Sequence, residues 1–291
     1  MIKNKIGIIG GSGLYDIEGI KITSKERIYT PFGTPSAELI TGEINNKEII
    51  FLPRHGKDHK MLPSEINYRA NIWALKKVGV SKIISVSAVG SLKEQIRPLD
   101  VVLIDQYYDR TKLRKNTFFG DGIVAHIDFS HPVCMNLREI LYEVGQEVGE
   151  GTKMHLGGTY CNIEGPAFST KAESLLYKSW GFDVVGMTNL PEAKLAREAE
   201  MCYVTMAMVT DYDCWNEEEE CVNVDMVVEH LSKNAEVAKK IIKAAAIKIS
   251  VQKSCECNQA LKNAILTPLD NIPSEVKEKL DPILSKYVSK D

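Results

Sequence analysis

The segment from Met187 to Trp215 constrains the fold more than any other part of the chain, because it contains a strand that needs cover on both sides. Residues 202–209 form an unbroken apolar run with β-branched members and no turn residue, which is typical of a strand buried on both faces. Before this run, Pro191 fixes φ for a first helical turn, and Glu192 suits the positive end of a helix dipole. A helix followed by such a strand predicts an α/β fold.

Two acidic residues, Asp211 and Asp213, follow the buried run and are separated by a single residue. In an extended chain this spacing places both side chains on one side, and ligands of open α/β sheets bind beyond the carboxyl ends of the strands. Two close carboxyl groups raise the pKa of one of them, which then keeps a proton at neutral pH. The alternative interpretation is that both residues only form a turn and cap a helix.

Composition is typical of a soluble globular protein. The 291 residues suit one large α/β domain or two small ones, and 44% are hydrophobic while 26% are charged. The net charge of -3 argues against a nucleic-acid partner. No apolar run approaches the roughly 20 residues that span a bilayer, and residues 1–13 have too short an apolar core for a signal peptide. We therefore expect a cytoplasmic protein without a membrane partner.

Seven cysteines are spread along the chain, an odd number that does not match a small secreted disulfide scaffold. Most are expected to be buried and reduced. The exception is Cys255 with Cys257, interpreted as half of a metal site or as a strained local disulfide. A tetrahedral metal needs four ligands, and no second closely spaced pair of cysteines or histidines is visible. No metal site is predicted.

A glycine-rich turn of Gly11, Ser12 and Gly13 follows the first predicted strand, residues 5–10. The dinucleotide fingerprint fails here because Asp16 stands where its third glycine belongs, and the P-loop lacks its Gly-Lys-Ser/Thr. What remains is a loop of backbone N–H groups with the hydroxyl of Ser12. It either holds an anion or is simply a turn.

A β-hairpin is predicted where residues 38–42 and 47–53 flank two asparagines, since asparagine tolerates positive φ at a turn. An antiparallel pair inside a parallel pattern indicates a mixed sheet. The second strand leads into Arg54 and His55, a planar cationic fork beside a titratable donor, and these groups suit a phosphate. The alternative is a solvated polar loop.

A helix is predicted from its cap at Ser64 to Gly79, and a buried strand at residues 82–90 follows it. Near the end of that strand lie Ser87 and Ala88. In one interpretation the Ser87 hydroxyl and the Ala88 backbone N–H face an anion. In the other, the small residues only permit close packing.

A Gly-Pro break after the predicted strand 157–163 places Phe168 in a loop near a strand end. Its ring either stacks on a flat base or packs against the next helix, predicted at residues 170–180. His126 and His131 have no metal-ligand spacing, so ordinary hydrogen-bonded histidines are expected there.

Apolar residues at helical spacing predict one long amphipathic helix from Val224 to Ile249. Its apolar side is expected to pack on the sheet, and its first turn can line a pocket for an apolar substituent. No internal repeat, low-complexity segment or linker is visible. We expect one domain over residues 1–266 and a helical tail over residues 267–291.

Seven short motifs, taken together, resemble those of a known protein family. They are Gly7–Leu14, Pro53–Gly56, Asn67–Asn71, Ser87–Ser91, Glu164–Phe168, Met187–Glu192 and Thr210–Asp213. In this order they closely resemble the trimeric purine nucleoside phosphorylase family, in its methylthioadenosine-cleaving branch. Each motif is short, but seven in order are highly specific, and the resemblance covers the chain from about residue 5 to residue 265.

The resemblance implies a single-domain nucleoside phosphorylase fold without a cofactor, in which helices flank a central mixed β-sheet. It implies homotrimers or dimers of trimers, with active sites near the subunit borders. It also implies a glycosyl transfer in which 5′-methylthioadenosine and inorganic phosphate, the co-substrate, give adenine and 5-methylthioribose 1-phosphate.

The same resemblance assigns roles position by position. The positions that match phosphate contacts are Ser12, Arg54, His55, Ser87, Ala88 and Thr188. The positions that match nucleoside contacts are Phe168 beside the base, Met187 under the ribose, Asp211 and Asp213 at the adenine, Val224, Val227 and Val228 around the methylthio group, and His126 from across a subunit border.

The implied chemistry needs no protein nucleophile. Donors around phosphate hold it for attack on the anomeric carbon, while Asp211 in its acid form donates to N7 of the departing base. Asp213 helps to keep Asp211 protonated and accepts from the 6-amino group. Three alternatives stay open: a purine nucleoside phosphorylase of broad or 6-oxopurine preference, a nucleosidase that uses water, and a non-enzymatic thiol or metal-binding protein.

Overall fold

The structure is a computed structural model that describes residues 5–11, 14, 17–216, 224–250 and 255–288, with the helical backbone but not the side chains of residues 224–228. Within these residues, one mixed sheet forms the centre of the molecule. Its strands are β1 (Lys5–Gly10), β2 (Lys21–Glu26), β3 (Leu39–Ile44), β4 (Lys47–Pro53), β5 (Val80–Ser91), β6 (Val101–Leu103), β7 (Gln106–Asp109), β8 (Met154–Leu156), β9 (Thr159–Asn162), β10 (Val184–Gly186) and β11 (Cys202–Asp211). The α-helices are α1 (Tyr68–Lys77), α2 (Met135–Val148), α3 (Lys171–Ser179), α4 (Glu192–Glu198), α5 (Val224–Lys248), α6 (Ser274–Lys279) and α7 (Asp281–Leu284).

Four neighbouring strands run parallel in the order β4, β1, β5 and β11. Their carboxyl ends therefore meet at one edge, where Gly10 lies opposite Pro53 and Gly90 lies opposite Asp211. Strand β10 pairs antiparallel with the end of β5, and β9 and β7 continue the sheet beyond it. The predicted α/β class and the mixed sheet are confirmed.

Strand β11 is buried along its whole length, as its apolar run predicted. Helices α2 and α5 cover one face of the sheet, with Leu141 and Ile242 in the shared core. Helices α1 and α4 cover the other, with Ile72 and Leu195 in the core. Each buried aliphatic side chain contributes about 1.5–3 kcal/mol, so the two layers hold the strand ends in fixed positions.

The predicted hairpin is also confirmed. Strands β3 and β4 pair antiparallel, and Asn45 and Asn46 join them with φ values of 48° and 61°. Two consecutive positive φ values are typical of a type I′ turn, whose twist matches that of the strands it connects. The hairpin delivers Arg54 to the carboxyl edge of the sheet.

The helix predicted from Ser64 begins later, at Tyr68, and this prediction of its start is wrong. Asn67 is the cap, because its side chain accepts a hydrogen bond from the Ala70 N–H over 3.1 Å. The Ser64 hydroxyl instead donates to the carboxylate of Glu164. Helix α3, by contrast, begins as predicted after Thr170, which forms a capping box with Glu173.

The segment after Leu266 contains α6 and α7, whose apolar residues are buried in the core beside α1. The Trp73 Nε1–H donates to the Lys279 carbonyl over 3.0 Å, which ties this segment to α1. The boundary at residue 266 between a domain and its tail stays a prediction. In the part of the chain described, no helix combines the length and the apolar character needed to cross a bilayer.

Candidate active site

Polar residues from several strand ends meet at the carboxyl edge of the parallel strands. The Arg54 backbone N–H donates to Gly10 O over 2.9 Å, which joins the ends of β4 and β1. Its side-chain Nη1 donates to Val86 O over 2.9 Å, which reaches β5. The Ser87 hydroxyl lies 3.2 Å from that of Thr188, just after β10. The structure thus brings Arg54, Ser87 and Thr188 together.

Arg54 forms a buried ion pair with Glu192. Its Nε and Nη2 donate to the two carboxylate oxygens over 2.9 and 3.1 Å, and both side chains are almost fully buried. Burial alone lowers the pKa of Arg54, but the Glu192 charge outweighs it and raises that pKa above its ordinary value. With a further bond from Nη2 to Ser85 Oγ, the protein engages four of the five guanidinium N–H groups. One Nη1 hydrogen has no partner among the described residues.

Three neutral residues complete the ion pair. The Ser85 and Tyr203 hydroxyls donate to Glu192 Oε1 over 2.6 and 2.9 Å. The Asn189 amide donates to both hydroxyls. Sequence reasoning placed Glu192 only at a helix dipole and missed this network, because its members come from four separate elements. The fixed pair gives the edge of the sheet a cation that does not titrate near pH 7.

His55 is a neutral imidazole at pH 7 and not the titratable donor that the sequence suggested. Its Nδ1 lies 2.9 Å from the Met61 carbonyl, which only accepts, so Nδ1 carries the proton and Nε2 is an acceptor. Burial and the nearby Arg54 charge lower the pKa of His55 to about 4. The ring stacks on His59 with centroids 4.1 Å apart.

A group of hydroxyls lines the end of β5. Ser87 Oγ lies 3.2 Å from the hydroxyl of Tyr160, whose ring is fully buried. Both Ser87 and Thr188 are buried, while Ala88 between Ser87 and Val89 is exposed. An exposed alanine within a buried strand marks an opening in the surface, so close packing does not account for the small residues here.

Asp211 is the last residue of β11 and is buried. Its Oδ2 accepts from the Thr210 hydroxyl over 2.6 Å, and its Oδ1 accepts from the Asp213 backbone N–H over 2.8 Å. Burial raises the pKa of Asp211, although these hydrogen bonds oppose the shift. Gly90 allows this close approach, since a Cβ there would lie 2.8 Å from Asp211 Oδ1.

Asp213 does not lie in an extended chain, so the predicted strand-like geometry of the pair is wrong. It has a φ of 49° and opens the 3-10 turn Asp213–Trp215. The cause is the bond from its N–H to Asp211 Oδ1, which folds the chain back. The turn interpretation is therefore correct for the backbone, yet both carboxyl groups remain together and buried.

Burial, with a further contribution from the neighbouring Asp211 charge, also raises the pKa of Asp213. Its Oδ2 is buried without a hydrogen-bond partner among the described residues. The hydroxyls of Ser169 and Ser174 face the same carboxyl group and oppose the shift by hydrogen bonding to it. An unpaired buried polar atom is costly, so the free oxygen of Asp213 suits a polar ligand.

Phe168 lies in the loop that follows β9 and is 58% exposed, so it is not a core residue. Arg114 holds this loop: its Nη2 donates to Glu164 O over 2.7 Å, and its Nη1 donates to Met187 O over 2.7 Å. Met187 is half-buried against Gly165, where a Cβ would lie 2.6 Å from its sulfur. Sequence reasoning missed Arg114, which has no motif around it.

Helix α5 begins at Val224 and lies over the end of β11. His230 contacts the Thr210 carbonyl, and the Asn234 amide donates to Val209 O over 2.9 Å. These contacts hold α5 against the end of β11, which carries Asp211. The side chains of Val224, Val227 and Val228, predicted to line a methylthio pocket, lie outside what the structure describes.

Two further predicted site residues are Ser12 and His126. Ser12 lies outside the described residues. His126 is exposed, and its backbone N–H donates to Ala264 O over 2.9 Å. Its predicted role across a subunit border therefore stays a prediction.

Comparisons with known proteins show the family of the chain. A profile of the phosphorylase superfamily matches residues 5–247. The chain is 53% identical to an S-methyl-5′-thioadenosine phosphorylase of Geobacter sulfurreducens, over 97% of this chain and 99% of that protein. It is 53% identical to one of Koribacter versatilis, over 97% and 96%.

Solved structures are similar too. The crystal structure of a methylthioadenosine phosphorylase from an Antarctic soil metagenomic library has a TM-score of 0.93 and 45% identity, covering 98% of this chain and all of that one. The Schistosoma mansoni methylthioadenosine phosphorylase in complex with adenine has a TM-score of 0.83 and 36% identity, covering 97% and 98%.

Proposed function

Because the chain belongs to the phosphorylase superfamily, and within it to the S-methyl-5′-thioadenosine phosphorylases, we propose that it cleaves 5′-methylthioadenosine with inorganic phosphate. The products are adenine and 5-methylthioribose 1-phosphate. The observation that carries this proposal is the meeting of two different groups at one edge of the sheet: a fixed cation with hydroxyls, and a pair of buried carboxyl groups.

The phosphate site comprises Ser12, Arg54, His55, Ser87, Ala88 and Thr188. The remaining Nη1 hydrogen of Arg54 and the hydroxyls of Ser87 and Thr188 donate to the anion. The ion pair with Glu192 keeps the guanidinium from rotating. The neutral His55 accepts a hydrogen bond at Nε2 from the P–OH of the phosphate monoanion, since its Nδ1–H is engaged by the Met61 carbonyl. Fixing the nucleophile in this way removes much of the entropic barrier to attack.

The adenine site comprises Asp211, Asp213 and Phe168. Burial favours the acid form of Asp211, which donates to N7 as the glycosidic bond breaks and so neutralises the departing base. Asp213 accepts from the 6-amino group with the oxygen that has no partner among the described residues. The exposed Phe168 stacks on the ring.

The sugar and its substituent complete the site. Met187 lies under the ribose, and Val224, Val227 and Val228 surround the methylthio group from the first turn of α5. His126 comes from a neighbouring subunit of a trimer or a dimer of trimers. No cofactor takes part, and phosphate is the co-substrate. A cytoplasmic location stays a prediction from the sequence.

A phosphate-dependence assay with a small nucleoside panel tests the proposal. We expect adenine release from methylthioadenosine to require phosphate, with slower turnover of adenosine and little of inosine. Equal adenine release without phosphate would make the protein a nucleosidase. Preferred turnover of inosine would make it a 6-oxopurine phosphorylase.

A further inference from the structure

Four cysteines from distant parts of the chain form one cluster, which we call the thiol cluster: Cys134, Cys202, Cys255 and Cys257. All four Sγ atoms lie within 4.8 Å of one another. Cys255 Sγ is 3.6 Å from Cys134 Sγ and 3.5 Å from Cys257 Sγ. Three of the four are buried, and Cys255 is half-buried. The sequence showed only the Cys255 and Cys257 half of this set.

The thiol cluster lies at the opposite edge of the sheet from the candidate active site. Cys202 is the first residue of β11, and Asp211 is its last. A strand rises about 3.3 Å per residue, so the two sites are on the order of 30 Å apart. Cys134 directly precedes α2, and Cys255 and Cys257 follow α5. The cluster therefore joins three segments and takes no part in nucleoside chemistry.

The sulfur positions suit a tetrahedral ion. A Zn–S bond of about 2.3 Å places two ligand sulfurs roughly 3.8 Å apart, close to the 3.5 and 3.6 Å found here. A disulfide needs sulfurs about 2.05 Å apart and joins them only in pairs. Cys255 Sγ is nearly equidistant from the Sγ atoms of Cys134 and Cys257, so neither is singled out as its disulfide partner.

The surroundings suit a site of net negative charge. A small cavity of about 100 Å³ is lined by Cys134, Cys202 and Cys255, and by Lys82, which is 7% exposed. Four thiolates around a divalent ion leave two negative charges, and a buried lysine nearby offsets part of them. The amino end of the 14-residue helix α2 also favours a thiolate at Cys134.

We propose that Cys134, Cys202, Cys255 and Cys257 bind one Zn²⁺ in a closed, tetrahedral structural site. Four thiols lose their protons as the ion binds, and four Zn–S bonds form without oxidation or reduction. No ligand position stays open, which distinguishes a structural zinc from a catalytic one. The ion fastens the segment after α5 to the start of β11 and to the start of α2.

Metal analysis of the full chain, expressed without a metal-affinity tag and purified under reducing conditions, tests this proposal. We expect one zinc per chain in the wild type and an approximately tenfold lower zinc content in Cys134→Ser and Cys257→Ser. Cys161→Ala is the matched control, because Cys161 is a buried thiol outside the cluster. It keeps the zinc.

Cobalt replacement gives a readout that does not depend on stability. We expect Co²⁺ added to the metal-free wild type to give the thiolate charge-transfer and visible bands of a tetrahedral four-sulfur site, and Cys257→Ser to shift them.

A chelator should lower the Tm of the wild type by about 4 °C or more and leave the Tm of Cys257→Ser unchanged.

Three results would overturn the proposal. The first is a reduced wild type without a thiophilic metal that also fails to take up Co²⁺. The second is mass-spectrometric identification of disulfides among the four cysteines in protein purified with zinc present. The third is equal zinc loss in Cys161→Ala, which would mean that the metal is bound elsewhere.

Discussion

At the scale of single residues, the carboxyl group of Asp211 is the part of the site with the most specific chemistry. It is buried at a strand end and its pKa is raised. The sequence predicted its place, because a pair of acids directly follows an unmistakable buried strand. The sequence offered the turn at Asp213 only as an alternative, since that turn depends on one hydrogen bond between the two residues.

We expect Asp211→Asn to lower kcat on methylthioadenosine about 100-fold or more, because an amide N–H can donate a hydrogen bond to N7 but is too weak an acid to transfer its proton. Steady-state adenine release measures this, and an unchanged Tm shows that the fold is intact. Asp270→Asn, an exposed aspartate in a different turn, is the control and keeps full turnover. Near-complete activity in Asp211→Asn would remove the general acid from the mechanism.

The ion pair of Arg54 is a feature that local sequence patterns do not predict. Its position after a strand and next to His55 suggested an anion site, but Glu192, its ion-pair partner, is 138 residues away in the sequence. Such a pairing follows from the fold and from no spacing rule. A change at Arg54 therefore affects both stability and phosphate binding.

We expect Arg54→Ala to cost about 3–5 kcal/mol of folding free energy, because it leaves the Glu192 charge buried and unpaired. It also raises the KM for phosphate more than the KM for the nucleoside. Denaturant unfolding and initial rates measure the two effects separately.

The double variant Arg54→Ala with Glu192→Gln further separates the effect on stability from the effect on phosphate binding. It removes the unpaired charge, so it regains much of the stability while the KM for phosphate stays high. If phosphate binding recovers together with stability, Arg54 is only a structural residue.

At the scale of elements, helix α4 ends in a buried acid. Glu198 accepts from the Phe118 N–H and the Thr117 hydroxyl, each over 2.7 Å. Burial raises the pKa of Glu198 to about 7, against about 4.3 in an unfolded chain. Between these values the unfolded chain releases this proton and the folded protein keeps it, so the stability that Glu198 contributes falls as pH rises.

We expect Glu198→Gln to gain stability relative to the wild type as pH rises from about 4.5 to about 7, and the difference to level off above that. Thermal unfolding at a series of pH values measures it. Glu139→Gln, a change at an exposed position on α2, is the control. A difference between Glu198→Gln and the wild type that does not vary with pH would contradict the raised pKa.

Element boundaries illustrate a second limit of the sequence. Ser64 and Asn67 are both good helix caps, and local preference does not choose between them. The choice is made by Glu164, a hundred residues further on, which engages the Ser64 hydroxyl. The hairpin of β3 and β4 was predictable because its turn residues and strands are adjacent in the chain.

At the scale of the whole molecule, the segment after Leu266 belongs to the core. Five of its apolar side chains are almost fully buried: Ile272, Val276, Leu280, Ile283 and Leu284. Its short helices carry too weak a pattern for the sequence to show which surface they cover. The sequence does not predict the thiol cluster either, because its four cysteines meet only when the sheet and three separate segments have folded together.

We expect a chain that ends at Leu266 to fail to fold stably. Burial of these five side chains contributes about 8–15 kcal/mol of folding free energy, which is comparable to the entire stability of a typical domain. Soluble yield and Tm measure this, with removal of residues 289–291 alone as the control. A truncated chain with the Tm of the full protein would make the segment a dispensable tail.

The central claim is that one edge of the sheet holds phosphate and a protonated aspartic acid at opposite sides of one N-glycosidic bond. A crystal structure with phosphate and a non-cleavable methylthioadenosine analogue tests it most directly. The account predicts phosphate oxygens within hydrogen-bond distance, about 2.7–3.2 Å, of Arg54, Ser87 and Thr188, and N7 of the base at the same distance from Asp211. An anion bound away from Arg54, or a base whose N7 faces away from Asp211, would contradict it.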